Sequence, residues 1–106
     1  MKIIALVPAH NESIGIRDTI ESLLTQSRPL DEIIVIPNGC TDNTANIARE
    51  YPVIVLELPK LAHRKSEAMN MGWLEFGQDA DIVISADADT ILVSNAVEDW
   101  EKRIYC

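Results

Sequence analysis

The segment "SADADT", Ser85 to Thr90, sets Asp87 and Asp89 one residue apart, directly after the apolar run Ile82, Val83, Ile84. Such a pair can be a surface turn, a phosphate-handling nucleophile with its acid partner, or the protein half of a divalent metal site. In an extended segment alternate side chains point the same way, so both carboxylates can face one cation while Ala88 faces the protein. Mg2+ or Mn2+ takes one or two carboxylates and fills its other positions with water and substrate phosphates.

Three more polar segments follow apolar runs: "PAHNE", "PNGCTDNT" and "PKLAHRKSEAMNMG". In the first, Pro8 and Ala9 keep the chain extended and leave room beside the backbone. Glu12 can accept hydrogen bonds from a ribose diol, or simply complement the N-terminus of the helix that follows. Asn38 is either a turn former beside Gly39 or an amide that reads a base edge. Lys65 stands at or near a helix start, where backbone N–H groups and an ammonium make an anion site. Its plainer reading is a solvated lysine paired with a carboxylate such as Glu67. His10 and His63 lack metal-ligand spacing with each other and read as polar loop residues.

The elements that must carry these segments alternate. Lys2–Val7 and Glu32–Ile36 read as buried strands closed by Pro8 and Pro37. Val53–Leu58 reads as a third strand and Ile82–Ala86 as a fourth. Between them, Ile16, Ile20, Leu23 and Leu24 mark one face of a helix over Ser13–Gln26, with Asn11 or Ser13 as its cap. A second helix, with Thr41 or Asp42 as its cap, runs through Arg49. A third, Arg64–Phe76, has Ala68, Met69 and Trp73 on one face and ends at Gly77. A last amphipathic helix, Ala96–Ile104, carries Val97, Trp100 and Ile104 at i, i+3 and i+7. This alternation predicts an α/β fold: a mostly parallel, right-handedly wound sheet of four strands with helices on both faces. Ligands of such sheets bind beyond the carboxyl ends of the strands, where all four polar segments fall.

A chain of 106 residues is one domain or a piece of one, and 47% hydrophobic with 25% charged residues is globular composition. Its 9 basic against 17 acidic residues, net charge −8, exclude broad attraction to a nucleic acid polymer. An acidic protein that binds a small polyphosphate needs a bridging cation, which returns the argument to Asp87 and Asp89. Cys40 and Cys106 have neither metal-site spacing nor the density of a disulfide scaffold, so a reducing compartment is expected. The first apolar run is too short for a signal sequence and no stretch spans a bilayer, which makes a cytoplasmic protein the expectation.

Taken together the four segments resemble the nucleotide-binding half of the family 2 glycosyltransferases, which have the GT-A, Rossmann-like fold. "ALVPAHNE" looks like their first-strand motif, "IIVIPNGCTDNTANIA" their second, "HRKSEAMNMG" their lysine helix and "ISADADT" their DxD segment, in order along the whole chain. The resemblance implies that the chain binds a UDP- or GDP-linked nucleotide sugar with Mn2+ or Mg2+. Pro8, Ala9 and Glu12 would contact the nucleoside, and Asn38 stands where many relatives have a base-reading aspartate. Lys65 would lie near the phosphates, Asp87 would face the ribose or metal shell, and Asp89 would bind the metal directly. Relatives continue well beyond DxD into an acceptor half, so residues 1–106 are expected to be a truncated or minimal nucleotide-binding domain, with no residue assignable as catalytic base. Ser66 replaces a glycine common after the lysine.

Two other classes compete. A haloacid dehalogenase-type phosphatase uses a DxD pair as nucleophile and acid, but its motif reads DxDxT near the chain start, whereas "DADT" puts Thr90 one residue early. A non-catalytic module would bind nucleotide without turnover, or would use an unpaired sheet edge and an uncovered apolar face for self-association into a homo-oligomer. A GxGxxG or GxxxxGK[ST] loop is absent.

Overall fold

The computed structural model describes residues 1–58 and 65–105, without the side chains of Lys65, Ser66 and Tyr105. Four parallel strands, β1 (Ile3–Ala9), β2 (Glu32–Pro37), β3 (Ile54–Val55) and β4 (Ile82–Ser85), lie in the order β3-β2-β1-β4. The strand order reverses at β1, which pairs with β2 on one side and β4 on the other. In parallel sheets that reversal opens a crevice at the carboxyl ends.

The continuous apolar runs are explained by burial on two faces. Ile3, Ala5, Val7 and Ala9 of β1 point into one core with Ile33 and Val35, while Ile4 and Leu6 point into the other with Ile34 and Ile36. On the first face lie α1 (Ile16–Leu24), α2 (Thr44–Ala48) and the first turn of α4 (Ala96–Tyr105), through Ile16, Ile20, Leu23, Ala48 and Val97. On the second lie α3 (Lys65–Gly72) and the π-helical turn Trp73–Gly77 that continues it, through Ala68 and Phe76. At Gly72 the helix comes so close that an added Cβ would stand 2.6 Å from Ile36 Cδ1.

Several expectations need correction. The third strand is only Ile54–Val55, with a separate parallel bridge joining Leu58 to Asn38. Helix α1 begins at Ile16, and neither Asn11 nor Ser13 caps it. Its N-cap is Gly15, and the Glu12 carbonyl accepts from the Gly15 and Ile16 amides. Asn11 instead takes a left-handed backbone, φ 51°, a conformation Asn tolerates better than most residues. Leu24, Trp73, Trp100 and Ile104, expected on covered helix faces, are 37%, 46%, 37% and 58% exposed. Helical spacing shows that these residues share a face, but not that another element covers it. Among the described residues no helix is long and apolar enough to cross a membrane.

Candidate functional site

The carboxyl ends of β1, β2 and β4 deliver their polar segments to one cavity of about 360 Å3. It is lined by Pro8, Ala9, His10, Glu12, Asn38, Asp87, Ala88 and Asp89. Six of the seven expected site residues therefore meet in one place. The seventh, Lys65, opens α3 by its backbone, and its side chain lies outside the described residues, as does His63.

On the β1–β2 side the wall is tied by short hydrogen bonds. The Asn38 amide donates to Ala9 O at 2.7 Å, and Asn38 is 4% exposed, directly before Gly39 at φ 60°. His10, read from sequence as a plain loop residue, lines the cavity as well. Its Nδ1 lies 2.7 Å from Asn38 O. A carbonyl only accepts, so Nδ1 carries the proton. The left-handed turn at Asn11 lets its Oδ1 accept from the Thr41 amide at 2.8 Å. Glu12, half-buried, donates its own amide to Thr44 Oγ1 at 3.0 Å, and that hydroxyl donates onward to Asp42 Oδ1.

Asp42 is the fixed point of this wall. Its carboxylate also accepts from the Ser13 and Thr44 amides at 3.1 and 3.0 Å. The Thr44 hydroxyl first, then these amides, hold its pKa at about 2 against an ordinary 3.8. Sequence reading took Asp42 only as a cap. It does bond the Thr44 amide at the start of α2, though the N-cap residue is Asn43.

On the β4 side, exposed Asp87 and Asp89 alternate with buried Ala86 and Ala88. Asp87, Ala88 and Asp89 all line the cavity, with Ala88 buried between the two exposed carboxylates. The local backbone is a turn rather than an extended strand, with the Thr90 amide donating to Asp87 O at 3.0 Å. Gly15 lies against it, its Cβ position 3.6 Å from Ala88 O and Asp89 Cα. Thr19, fully buried and unnoticed in the sequence, donates its hydroxyl to Ala88 O at 2.9 Å.

Among the described residues no three His, Cys, Asp or Glu side chains cluster as a complete metal cage. Two accessible carboxylates are what Mg2+ or Mn2+ requires when phosphate and water supply its remaining ligands. The donor set thus fits a hard divalent cation held jointly with a polyphosphate. Cys40, half-buried beside Ala9 and Asn11, is a free thiol, and Cys106 lies outside the described residues.

A parallel α/β sheet with acidic and amide side chains gathered at its switch point defines a doubly wound class of domain whose ligand site lies at the strand ends. The particular class is given by comparison: the model of glycosyl transferase family 2 matches residues 4–104, and the chain belongs to that family. The probable glycosyltransferase YdaM of Bacillus subtilis is 32% identical over 97 residues, 83% of this chain and 23% of that protein. The fold is the GT-A fold of Staphylococcus aureus TarS 1–349, which superposes with a TM-score of 0.87 at 22% identity, over 98% of this chain and 32% of that one. Glucosyl-3-phosphoglycerate synthase from Mycobacterium tuberculosis, solved with Mn2+, UDP and phosphoglyceric acid, superposes at 0.65 with 30% identity, over 82% of this chain and 32% of that one. The chain thus spans about a quarter to a third of the length of these relatives.

Proposed function

We propose that this domain binds the nucleoside diphosphate of a UDP- or GDP-linked sugar donor, with Mn2+ or Mg2+ held at Asp87 and Asp89. The observation that carries the reading is convergence: Pro8, Ala9, Glu12, Asn38, Asp87 and Asp89 line one cavity of ligand size. The Mn2+ and UDP of the mycobacterial synthase, a 30%-identical relative, support the same pairing of metal and nucleotide.

In this reading Pro8 and Ala9 form the apolar floor under the nucleoside, Glu12 accepts from the ribose hydroxyls and the Asn38 amide meets the base. Lys65 supplies an ammonium to the diphosphate from the start of α3. Asp89 is the direct metal ligand, and Asp87 faces the ribose or the metal's water shell. The cation, when bound, neutralises charge on the departing nucleoside diphosphate. Transfer of the sugar to an acceptor hydroxyl, the activity of the whole enzyme, is part of the proposal, and none of these residues is assigned as its base.

Calorimetric titration with UDP and GDP, with Mn2+ and with EDTA, tests it. Metal-dependent binding of at least one diphosphate is expected. Asp89→Asn should weaken that binding about 100-fold, the upper end of what residues supporting a metal site typically cost. Absence of metal-dependent binding to either diphosphate would sink the reading.

A second reading, self-association, draws on the exposed apolar side chains Met71, Trp73 and Leu74 on α3 and its π-helical extension. Light scattering across a concentration series decides it, and a mass that stays monomeric removes it.

A further inference from the structure

Helix α1 and the residues just past its end turn a polar stripe, not only an apolar one, toward the core. Thr19, Ser22 and Gln26 are 0%, 9% and 5% exposed. Every one of them bonds the chain that leaves β4. Thr19 Oγ1 donates to Ala88 O at 2.9 Å, with Gly15 O also in reach at 3.3 Å. Ser22 Oγ accepts from the Leu92 amide at 3.1 Å while donating to Thr19 O at 2.8 Å. Gln26 Nε2 donates to Val93 O at 2.8 Å and Ser22 O at 3.0 Å, and its Oε1 accepts from the Val97 amide at 3.0 Å.

These partners bracket the acidic turn. Ala88 O belongs to the same peptide unit as the Asp89 nitrogen, so anchoring that oxygen fixes the plane from which the Asp89 side chain departs. Leu92 and Val93 fix the exit, leaving Asp89, Thr90 and Ile91 as a short span between two anchors. Side chains of α1 and of Gln26 just past its end hold this segment. From this geometry we infer that Thr19, Ser22 and Gln26 are positioning residues that set the metal affinity of Asp87 and Asp89 by holding their turn from behind. The inference rests on the nucleotide–metal reading above.

The test uses the full chain as wild type, Thr19→Val and Thr19→Ser, with UDP titrated in Mn2+ and in EDTA. Thr19→Val should weaken Mn2+-dependent UDP binding about tenfold, the range typical when a support of a metal ligand is removed, and leave metal-free binding within about twofold. Thr19→Ser, which restores the donor, should return the Mn2+-dependent affinity. Amide hydrogen exchange supplies a readout that needs no ligand. Exchange at Thr90 and Leu92 should accelerate in Thr19→Val relative to the amides of β1. A folded Thr19→Val with wild-type metal-dependent affinity and unchanged relative exchange overturns the inference. Should Thr19→Val not fold, Ser22→Ala carries the same two expectations and the same overturning result. If wild type itself shows no Mn2+-dependent binding, the nucleotide reading fails separately. The exchange comparison then still decides whether the stripe holds the turn, faster relative exchange supporting it and unchanged exchange overturning it.

Discussion

The two walls of the cavity are built from opposite materials. The β1–β2 wall is held at the surface by an ionised carboxylate, Asp42, which gathers the Ser13 and Thr44 amides and the Thr44 hydroxyl. The β4 wall is held from the interior by neutral side chains, Thr19, Ser22 and Gln26. Exposed charge-assisted bonds compete with water and respond to pH, whereas buried neutral bonds are costly to leave unmade. The wall assigned to the nucleoside is therefore the adjustable one, and the wall assigned to the cation is the rigid one.

The contrast can be broken at its strongest point by Gln26→Leu. This change keeps the bulk but leaves the buried Val97 amide without its partner, while Val93 O keeps the Ala96 amide at 3.1 Å. A loss of about 1 to 3 kcal/mol is expected from urea denaturation, the cost of one such buried group left unmade. A neutral outcome would remove the distinction between the walls. The opposite face of the sheet provides a control in which shape alone is at stake. Gly72→Ala would push a methyl to 2.6 Å from Ile36 Cδ1, and overpacking of this kind costs about 1 to 3 kcal/mol with no change in pH dependence.

The smallest effect belongs to the surface wall. Asp42→Ala should cost about 0.5 to 1 kcal/mol at neutral pH, the lower range for loss of a residue bonding a helix-start amide. Its pH signature has a definite sign. The folded pKa of Asp42, about 2, lies below the ordinary 3.8, so its contribution is complete above that ordinary value and drains away as pH falls through about 2. Carbon-detected NMR titration should place this carboxyl at about 2. Stability of wild type and Asp42→Ala should converge between about pH 4 and 2.

Much of this arrangement was legible in the sequence. Strands β1, β2 and β4 follow from apolar runs, although β1 continues through Pro8 to Ala9 instead of closing at the proline, and burial on two faces explains why none of the runs needs polar spacing. Six of the expected residues share one cavity because parallel strands bring their carboxyl ends together. What escaped is equally physical. Thr19, Ser22 and Gln26 are polar, and a reading by hydrophobic period assigns polar positions to solvent. Only the partners at Ala88, Leu92, Val93 and Val97, distant in sequence, reveal that they are buried and satisfied. Spacing of 19 and 22 on the apolar side of α1, with 26 just past its end, was the available signal. The short β3 escaped for another reason. It lies at the sheet edge, where β-rich composition over Val53–Leu58 does not guarantee a continuous ladder.

Strand β1 has one property that reaches beyond its hydrogen bonds. It is in register with β2 through Ala9 and Pro37 and with β4 through Leu6 and Ser85. A single strand thereby acts as the common ruler for both walls. One residue inserted or deleted within Ile3–Ala9 would exchange its two buried faces and shift Glu12 against Asn38 and Asp87 in the same stroke. The spacing between the two walls is thus inherited as one length, and change in the surrounding loops can retune either wall while that length stays constant.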